Sequence, residues 1–171
     1  MKFYPNMYQK NIHDINYKRL KKFGIKCLIF DLDNTIALID QKIITEDTKK
    51  LLIDLKKDFQ VVIISNNITK RVKKYAEYLE CDFVANASKP LAKGYKKISK
   101  KYNLKSNEMC MIGDQIVTDI YGGNRYGMFT ILVDPLGKKD LKITSLNRFI
   151  ESKILKNYEE KDIMKKGVYY E

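Results

Sequence analysis

Cysteine and proline each occur only three times in this chain of 171 residues, and histidine once. The cysteines, Cys27, Cys81 and Cys110, are odd in number and have no CxxC spacing, which leaves no disulfide or zinc framework to build on. Cys27 and Cys110 lie inside apolar runs and read as small buried hydrophobes of a reducing compartment. His13 has no second ligand type at metal spacing beside it and reads as a surface residue. No apolar run approaches the roughly 18 residues of a membrane span. The first 25 residues lack the apolar stretch and cleavage site of a secretory signal, and they are too poor in arginine for a transit peptide. A cytoplasmic protein is the expectation. Pro/Gly/Ser linkers and internal repeats are missing too, so residues 1–171 read as a single domain. Outside the last helical segment the only arginines are Arg19, Arg71 and Arg125, and no RNP-like or GxxG clamp accompanies the twelve tyrosines and seven phenylalanines, which argues against a nucleic-acid reader. No GxGxxG follows the first apolar run, so Gly122-Gly123-Asn124 reads as turn chemistry and tight packing.

What the chain does have is a globular apolar content of 44% and a formal charge of +12. Short β-rich runs alternate with longer amphipathic ones, the pattern of βαβ units and a mostly parallel, five-stranded sheet. The expected strands are 26–30, 61–65, 83–85, 109–112 and 129–133; the expected helices are about 48–57, 69–79, 91–102 and 117–126, with Pro90 in the first turn of the third. Residues 1–24 form a basic, helical N-terminal extension with an apolar stripe of Ile12, Ile15, Tyr17 and Leu20. A further helix is expected over about 146–155, and the charged end, 157–171, is expected to be mobile.

In an open parallel sheet, ligands bind outside the carboxyl ends of the strands. There the sequence places Asp31-Leu32-Asp33-Asn34-Thr35, then Ser65-Asn66-Asn67, then Lys89-Pro90, then Gly113-Asp114 with Asp119 five residues on. Each residue taken singly reads as a turn, cap or surface feature. In order, each at a strand end, they describe a phosphate and metal site. A carboxylate such as Asp31 can attack phosphorus and split one difficult displacement into two easier ones. Anion meeting anion calls for a hard cation, and Mg²⁺ suits Asp31 and Asp114 as side-chain ligands, with the Asp33 carbonyl within reach. Asp33 could protonate the leaving oxygen and later take a proton from water. Ser65, Asn66 and Lys89 could hold the phosphoryl oxygens and neutralise their charge.

These residues resemble the haloacid dehalogenase (HAD) superfamily, whose motifs read here as Asp31-Leu32-Asp33-Asn34-Thr35, Ser65, Lys89 and Gly113-Asp114 through Asp119. GIKCLIFDLDNT, IISNN, ASKP and IGDQIVTDIYGGNRYG extend the likeness, over about 5–151, to the YqeG branch of its subfamily IIIA phosphatases. The resemblance implies an α/β, HAD-like Rossmannoid three-layer sandwich. It implies Asp31 as nucleophile, Asp33 as acid and base, Ser65 and Lys89 as phosphate holders, Asp114 as metal ligand, and Thr35 and Asp119 in support. An acid at Asp33 favours phosphomonoester hydrolysis over the other reactions of the superfamily. Only 29 residues separate Thr35 from Ser65, so the cap is minimal (C0-type) and the site open. Relatives of this branch include phosphatidylglycerophosphate phosphatases, which makes that lipid the leading named substrate.

The charge is uneven. Residues 1–26 carry +6, residues 89–105 carry +7, and the remainder is near neutral at −1. Lys93, Lys96, Lys97, Lys100, Lys101 and Lys105 follow Lys89, either as a solvated helix face or as a contact for an anionic membrane or an RNA-containing particle. Two readings compete with a soluble or peripheral phosphatase. A phosphorylation-switched receiver domain also uses Asp, Ser/Thr and Lys around Mg²⁺, but lacks the DxD order and the late GDxxxxD. A phosphatase-fold assembly factor docking on RNA, ribosomal particles or anionic membranes is the alternative that the basic segments keep open.

Overall fold

The computed structural model describes residues 2–40, 43–137 and 142–171, with side chains throughout except at 142–146. Six strands, β1 (Met7–Gln9), β2 (Cys27–Asp31), β3 (Gln60–Ile64), β4 (Asp82–Val84), β5 (Met109–Gly113) and β6 (Phe129–Val133), form one sheet. Its order is β1-β6-β5-β2-β3-β4, and every pairing is parallel. The helices are α1 (Tyr17–Lys22), α2 (Glu46–Leu55), α3 (Thr69–Tyr78), α4 (Lys93–Tyr102), α5 (Tyr121–Tyr126) and α6 (Lys142–Glu160).

Residue alternation along the strands builds the three layers. On β2, Leu28 and Phe30 pack with Leu52 and Leu55 of α2 and Val72, Tyr75 and Ala76 of α3, while Cys27 and Ile29 face the opposite side, with Tyr95 and Ile98 of α4. Because both faces are covered, the central strands are continuously apolar, as buried parallel strands are. The helices start where their chemistry allows. The Thr45 hydroxyl accepts from the Thr48 N–H at 3.3 Å and Glu46 and Asp47 occupy the first turn of α2, satisfying an orphan donor and complementing the helix dipole. Asn103 ends α4 in the left-handed region, at φ 52°.

Four details of the sheet edge, the two termini and the start of α4 depart from the sequence expectation. The sheet has a sixth strand, because β1, too short for its periodicity to stand out, pairs with β6 along Met7–Gln9. The N-terminal extension is therefore a strand, a 3₁₀ turn at Ile12–Asp14 and one short helix, and its stripe of Ile12, Ile15 and Leu20 is buried in the core. The charged end folds back: Tyr170 and Tyr8 exchange backbone hydrogen bonds of 2.8 Å each, covering the β1 edge, and Tyr158 and Met164 are buried beside it. Finally, Pro90 precedes α4 rather than opening it, because the Lys89 backbone on its N-terminal side is held in a loop by the Asn66 side chain.

Candidate active site

The chain runs β2-β3-β4 to one side of the sheet and β5-β6 to the other, so the strand order reverses between β2 and β5. A crevice opens at such a switch point. Asp31 ends β2, and the pairing of Phe30 with Ile112 sets it level with Gly113 and next to Asp114. Lys89, in the connection leaving β4, places its Nζ 2.5 Å from Asp31 Oδ1 and 2.6 Å from Asp119 Oδ1. Asp31, Asp114 and Asp119 each offer an oxygen, all within 4.8 Å of one another, and all are buried.

Each of these side chains is held by its neighbours. Asn66 grips the Lys89 backbone twice, accepting from its N–H at 2.7 Å and donating to its carbonyl at 3.0 Å. The segment Ile116–Ile120, expected as the start of one long helix, winds instead as a π-helical turn ahead of α5. Wide turns of this kind cluster at functional sites. Here it carries Asp119 back over β5, where Asp119 Oδ2 accepts from the Gln115 N–H at 3.2 Å and Asp119 Oδ1 from the Thr118 hydroxyl at 3.3 Å. Gly113 leaves room for this return, since a Cβ there would lie 2.2 Å from Asp119 Oδ2. Thr35 donates to Asp114 Oδ1 at 3.1 Å, and Arg148 of α6 pairs with Asp114 Oδ2 while reaching the Asp114 carbonyl at 2.9 Å.

Asp33 stands apart from the acidic cluster. Its carboxylate accepts from Arg71 Nε at 3.0 Å and Nη2 at 2.7 Å and from Asn67 Nδ2 at 3.2 Å. That leaves its carbonyl, not its side chain, as the group with which it could join Asp31 and Asp114 at a metal. Ser65 is buried, and its hydroxyl accepts from the Asn67 N–H at 3.0 Å. Asn66, expected to hold phosphate, has its side-chain amide committed to the Lys89 loop.

The electrostatics follow from burial. Burial, with Asp119 and Asp114 close by, pushes the Asp31 carboxyl well above its ordinary pKa even though Lys89 opposes the shift. Burial also works against the Lys89 ammonium, but Asp119 and Asp31 outweigh it and hold its pKa above the ordinary lysine value. Asp114 is pushed up to about 6, by burial first, against Arg148. Among the described residues, three buried carboxylates thus face one ammonium and one guanidinium, an excess of negative charge presented on oxygen donors. A hard divalent cation such as Mg²⁺ fits that donor set, whereas zinc favours nitrogen and sulfur.

Comparison with known proteins adds an independent line. The profile of haloacid dehalogenase-like hydrolases matches residues 10–127. The chain is 38% identical over 154 residues, 90% of each sequence, to the probable phosphatase YqeG of Bacillus subtilis (strain 168). It belongs to the YqeG phosphatases of the HAD superfamily. This phosphatase is also 27% identical, over 142 residues, to the chloroplastic phosphatidylglycerophosphate phosphatase 1 of Chlamydomonas reinhardtii; the match covers 77% of this chain and 53% of the algal one. Among solved structures, an uncharacterized protein from Listeria monocytogenes serotype 4b superposes with a TM-score of 0.56 at 20% identity, covering 68% of this chain and 85% of that one, and so shares the fold.

The structure brings Asp31, Lys89, Asp114, Asp119 and Thr35 together, and sets Asp33 and Ser65 alongside, linked through Asn67. Sequence reasoning missed Arg71 and Arg148. A signal existed for Arg71: it stands in the first turn of α3, where a cation opposes the helix dipole and needs a compensating partner. Nothing in the sequence marked Arg148, which meets Asp114 only because α6 returns across the carboxyl end of the sheet.

Proposed function

We propose that this phosphatase hydrolyses phosphomonoesters through a phosphoryl group carried on Asp31, and that its substrate is a bulky phosphorylated lipid of the phosphatidylglycerophosphate type. The observation that carries the reading is the bridge from Lys89 to Asp31 and Asp119, with Asp33 held separately on Arg71. One carboxylate is thereby set to attack and another to handle protons.

In the first step an oxygen of ionised Asp31 forms a bond to phosphorus as the bond to the substrate's ester oxygen breaks, and Asp33 in its acid form gives that oxygen a proton. In the second, water attacks the same phosphorus, Asp33 takes its proton, and the Asp31–phosphorus bond breaks to release inorganic phosphate. Lys89 stabilises the charge that gathers on the equatorial oxygens, and the Ser65 hydroxyl can donate to one of them. Asp31 and Asp114, with the Asp33 carbonyl, would hold Mg²⁺, which supplies the positive charge that keeps Asp31 ionised and draws phosphate to it. The lipid assignment draws on the relatives named for phosphatidylglycerophosphate and on the shortness of the connection between β2 and α2, too short to hold a folded cap domain.

The test is phosphate release from an aryl phosphate and from phosphatidylglycerophosphate in mixed micelles, with Mg²⁺ or with a chelator. Release should need the metal and vanish in Asp31→Asn. Equal release by that variant would overturn the mechanism, and release from sugar or nucleotide phosphates but not from the lipid would overturn the substrate.

A further inference from the structure

Among the described residues, four large aliphatic side chains stand exposed in the connections at one end of the sheet. They are Ile43, Ile68, Leu91 and Leu136, one in each connection leaving the carboxyl ends of β2, β3, β4 and β6. Three of them directly adjoin the site. Ile68 follows Asn67, whose amide donates to Asp33; Leu91 lies two residues past Lys89; the Leu136 N–H donates to the Asn34 carbonyl at 2.8 Å. A soluble chain gains nothing from apolar side chains around a polar well, so such a rim marks an interaction surface. Helices α3 and α4 run back from this end, and their first turns display exposed Lys70 and Lys93, with exposed Lys96 and Lys97 on the next turn of α4. The Ile43 corner differs, because Glu46 and Asp47 are exposed beside it. The N-terminal apolar stripe is buried and unavailable.

We propose that this rim docks on an anionic phospholipid bilayer, with Ile68, Leu91 and Leu136 entering the headgroup–acyl boundary and Lys70 and Lys93 meeting lipid phosphates. The inference rests on the phosphatase reading of the site and adds its partner. A bilayer suits the layout because it offers phosphate opposite the well and hydrocarbon opposite the rim at the same time. The three apolar residues are aliphatic and give no stacking plane for the bases of an RNA. The charge complements this: the apolar corners at α3 and α4 carry lysines with (CH₂)₄ stems that can lie along an interface, and the acidic corner at α2 tilts away from it.

The test is co-sedimentation of the full chain with vesicles of phosphatidylcholine, with and without phosphatidylglycerol. Neither lipid carries a phosphomonoester, so docking is read apart from catalysis. The protein should sediment with the phosphatidylglycerol vesicles. The triple variant Ile68→Ser, Leu91→Ser, Leu136→Ser should lose roughly tenfold or more in affinity. Lys70→Gln with Lys93→Gln should weaken binding most at low salt, and Ile53→Ser, exposed on α2 beyond its first turn, should bind as the parent does. Thermal melting checks that each variant is folded. A parent that stays in the supernatant, a folded triple variant that binds fully, retention by RNA in place of vesicles, or a dimer that the triple variant dissociates would each overturn the proposal. Vesicle binding without phosphate release from an aryl phosphate would instead sink the phosphatase reading and leave the docking surface standing.

Discussion

Replacing Arg71 with alanine separates the two carboxylates at the front of the site. The guanidinium makes two bonds to Asp33 Oδ1, at 3.0 and 2.7 Å, and one of 3.1 Å to the Leu38 carbonyl, so it ties Asp33 to the flap. The side chains of Arg71 and Asp33 are 22% and 12% exposed, which puts the pair between a solvent-screened surface bridge worth under about 1 kcal/mol and a buried one costing about 3–5 kcal/mol to break. A loss of about 2 kcal/mol in holding Asp33 is the middle of that range and corresponds to roughly 30-fold in rate. The loss should depend on the substrate. On the proposed mechanism an alkyl phosphate takes the Asp33 proton on its leaving oxygen and should show the full drop in kcat/KM, which reports transfer to Asp31 and not the later hydrolysis that both esters share. An aryl phosphate with a stable phenolate needs no proton there and should fall only a few-fold. Arg71→Lys keeps the charge without the fork and should lie between. The assay is kcat and KM for both esters at saturating Mg²⁺, with melting curves to confirm folding. Equal losses in kcat/KM on the two esters would mean that Arg71 supports the fold and not the proton donor.

Other outcomes follow from the same geometry. Gly113→Ala should displace Asp119 and with it Lys89, since the added Cβ would lie 2.2 Å from Asp119 Oδ2; a stability loss of about 1–3 kcal/mol in urea titration, with little remaining turnover, is expected. Glu151, which accepts from the Val117 N–H at 3.2 Å, is pushed up to about 7, by burial first, against Arg148. A carboxyl raised on folding contributes stability that is fully present below its unfolded value and is lost as pH rises through the folded one. Chelated protein should therefore lose on the order of 3 kcal/mol between about pH 4.5 and 7 relative to Glu151→Gln, measured by denaturation across that range, and a parallel pH dependence of the two proteins would refute the assignment. Burial pushes the Cys27 and Cys81 thiols up to about 12, so a thiol reagent at pH 8 should label the native protein far more slowly than the unfolded chain.

Much of the site was legible because its residues occupy fixed offsets from strands whose apolar runs are easy to see. Asp31, Ser65 and Asp114 each stand at or just past a strand end, and a parallel sheet brings such ends into one line. What stayed hidden depends on contacts between distant segments. Asn66 has the composition of a phosphate ligand but grips Lys89, and only the approach of the β4 connection to the end of β3 shows this. The long helix expected at 117–126 breaks into a π-helical turn and α5 because Asp119 must reach back over Gly113, a demand no local propensity expresses. The strand β1 and the docked tail were missed together: three residues carry no usable periodicity, and their stability comes from β6 on one side and Tyr170 on the other.

The sequence by itself determined the alternation of strand and helix, the layered α/β class and the identity of the acids and lysine at the strand ends, since these follow from periodicity and from short-range order along the chain. Tertiary structure alone decided which charges meet. It placed Arg71 on Asp33 and Arg148 on Asp114, buried Ile12, Ile15 and Leu20 of the N-terminal apolar stripe in the core, and left Ile68, Leu91 and Leu136 exposed in the connections beside the site. Burial and charge pairing are sums over neighbours contributed by segments far apart in the chain, and those neighbours exist only once the sheet has assembled.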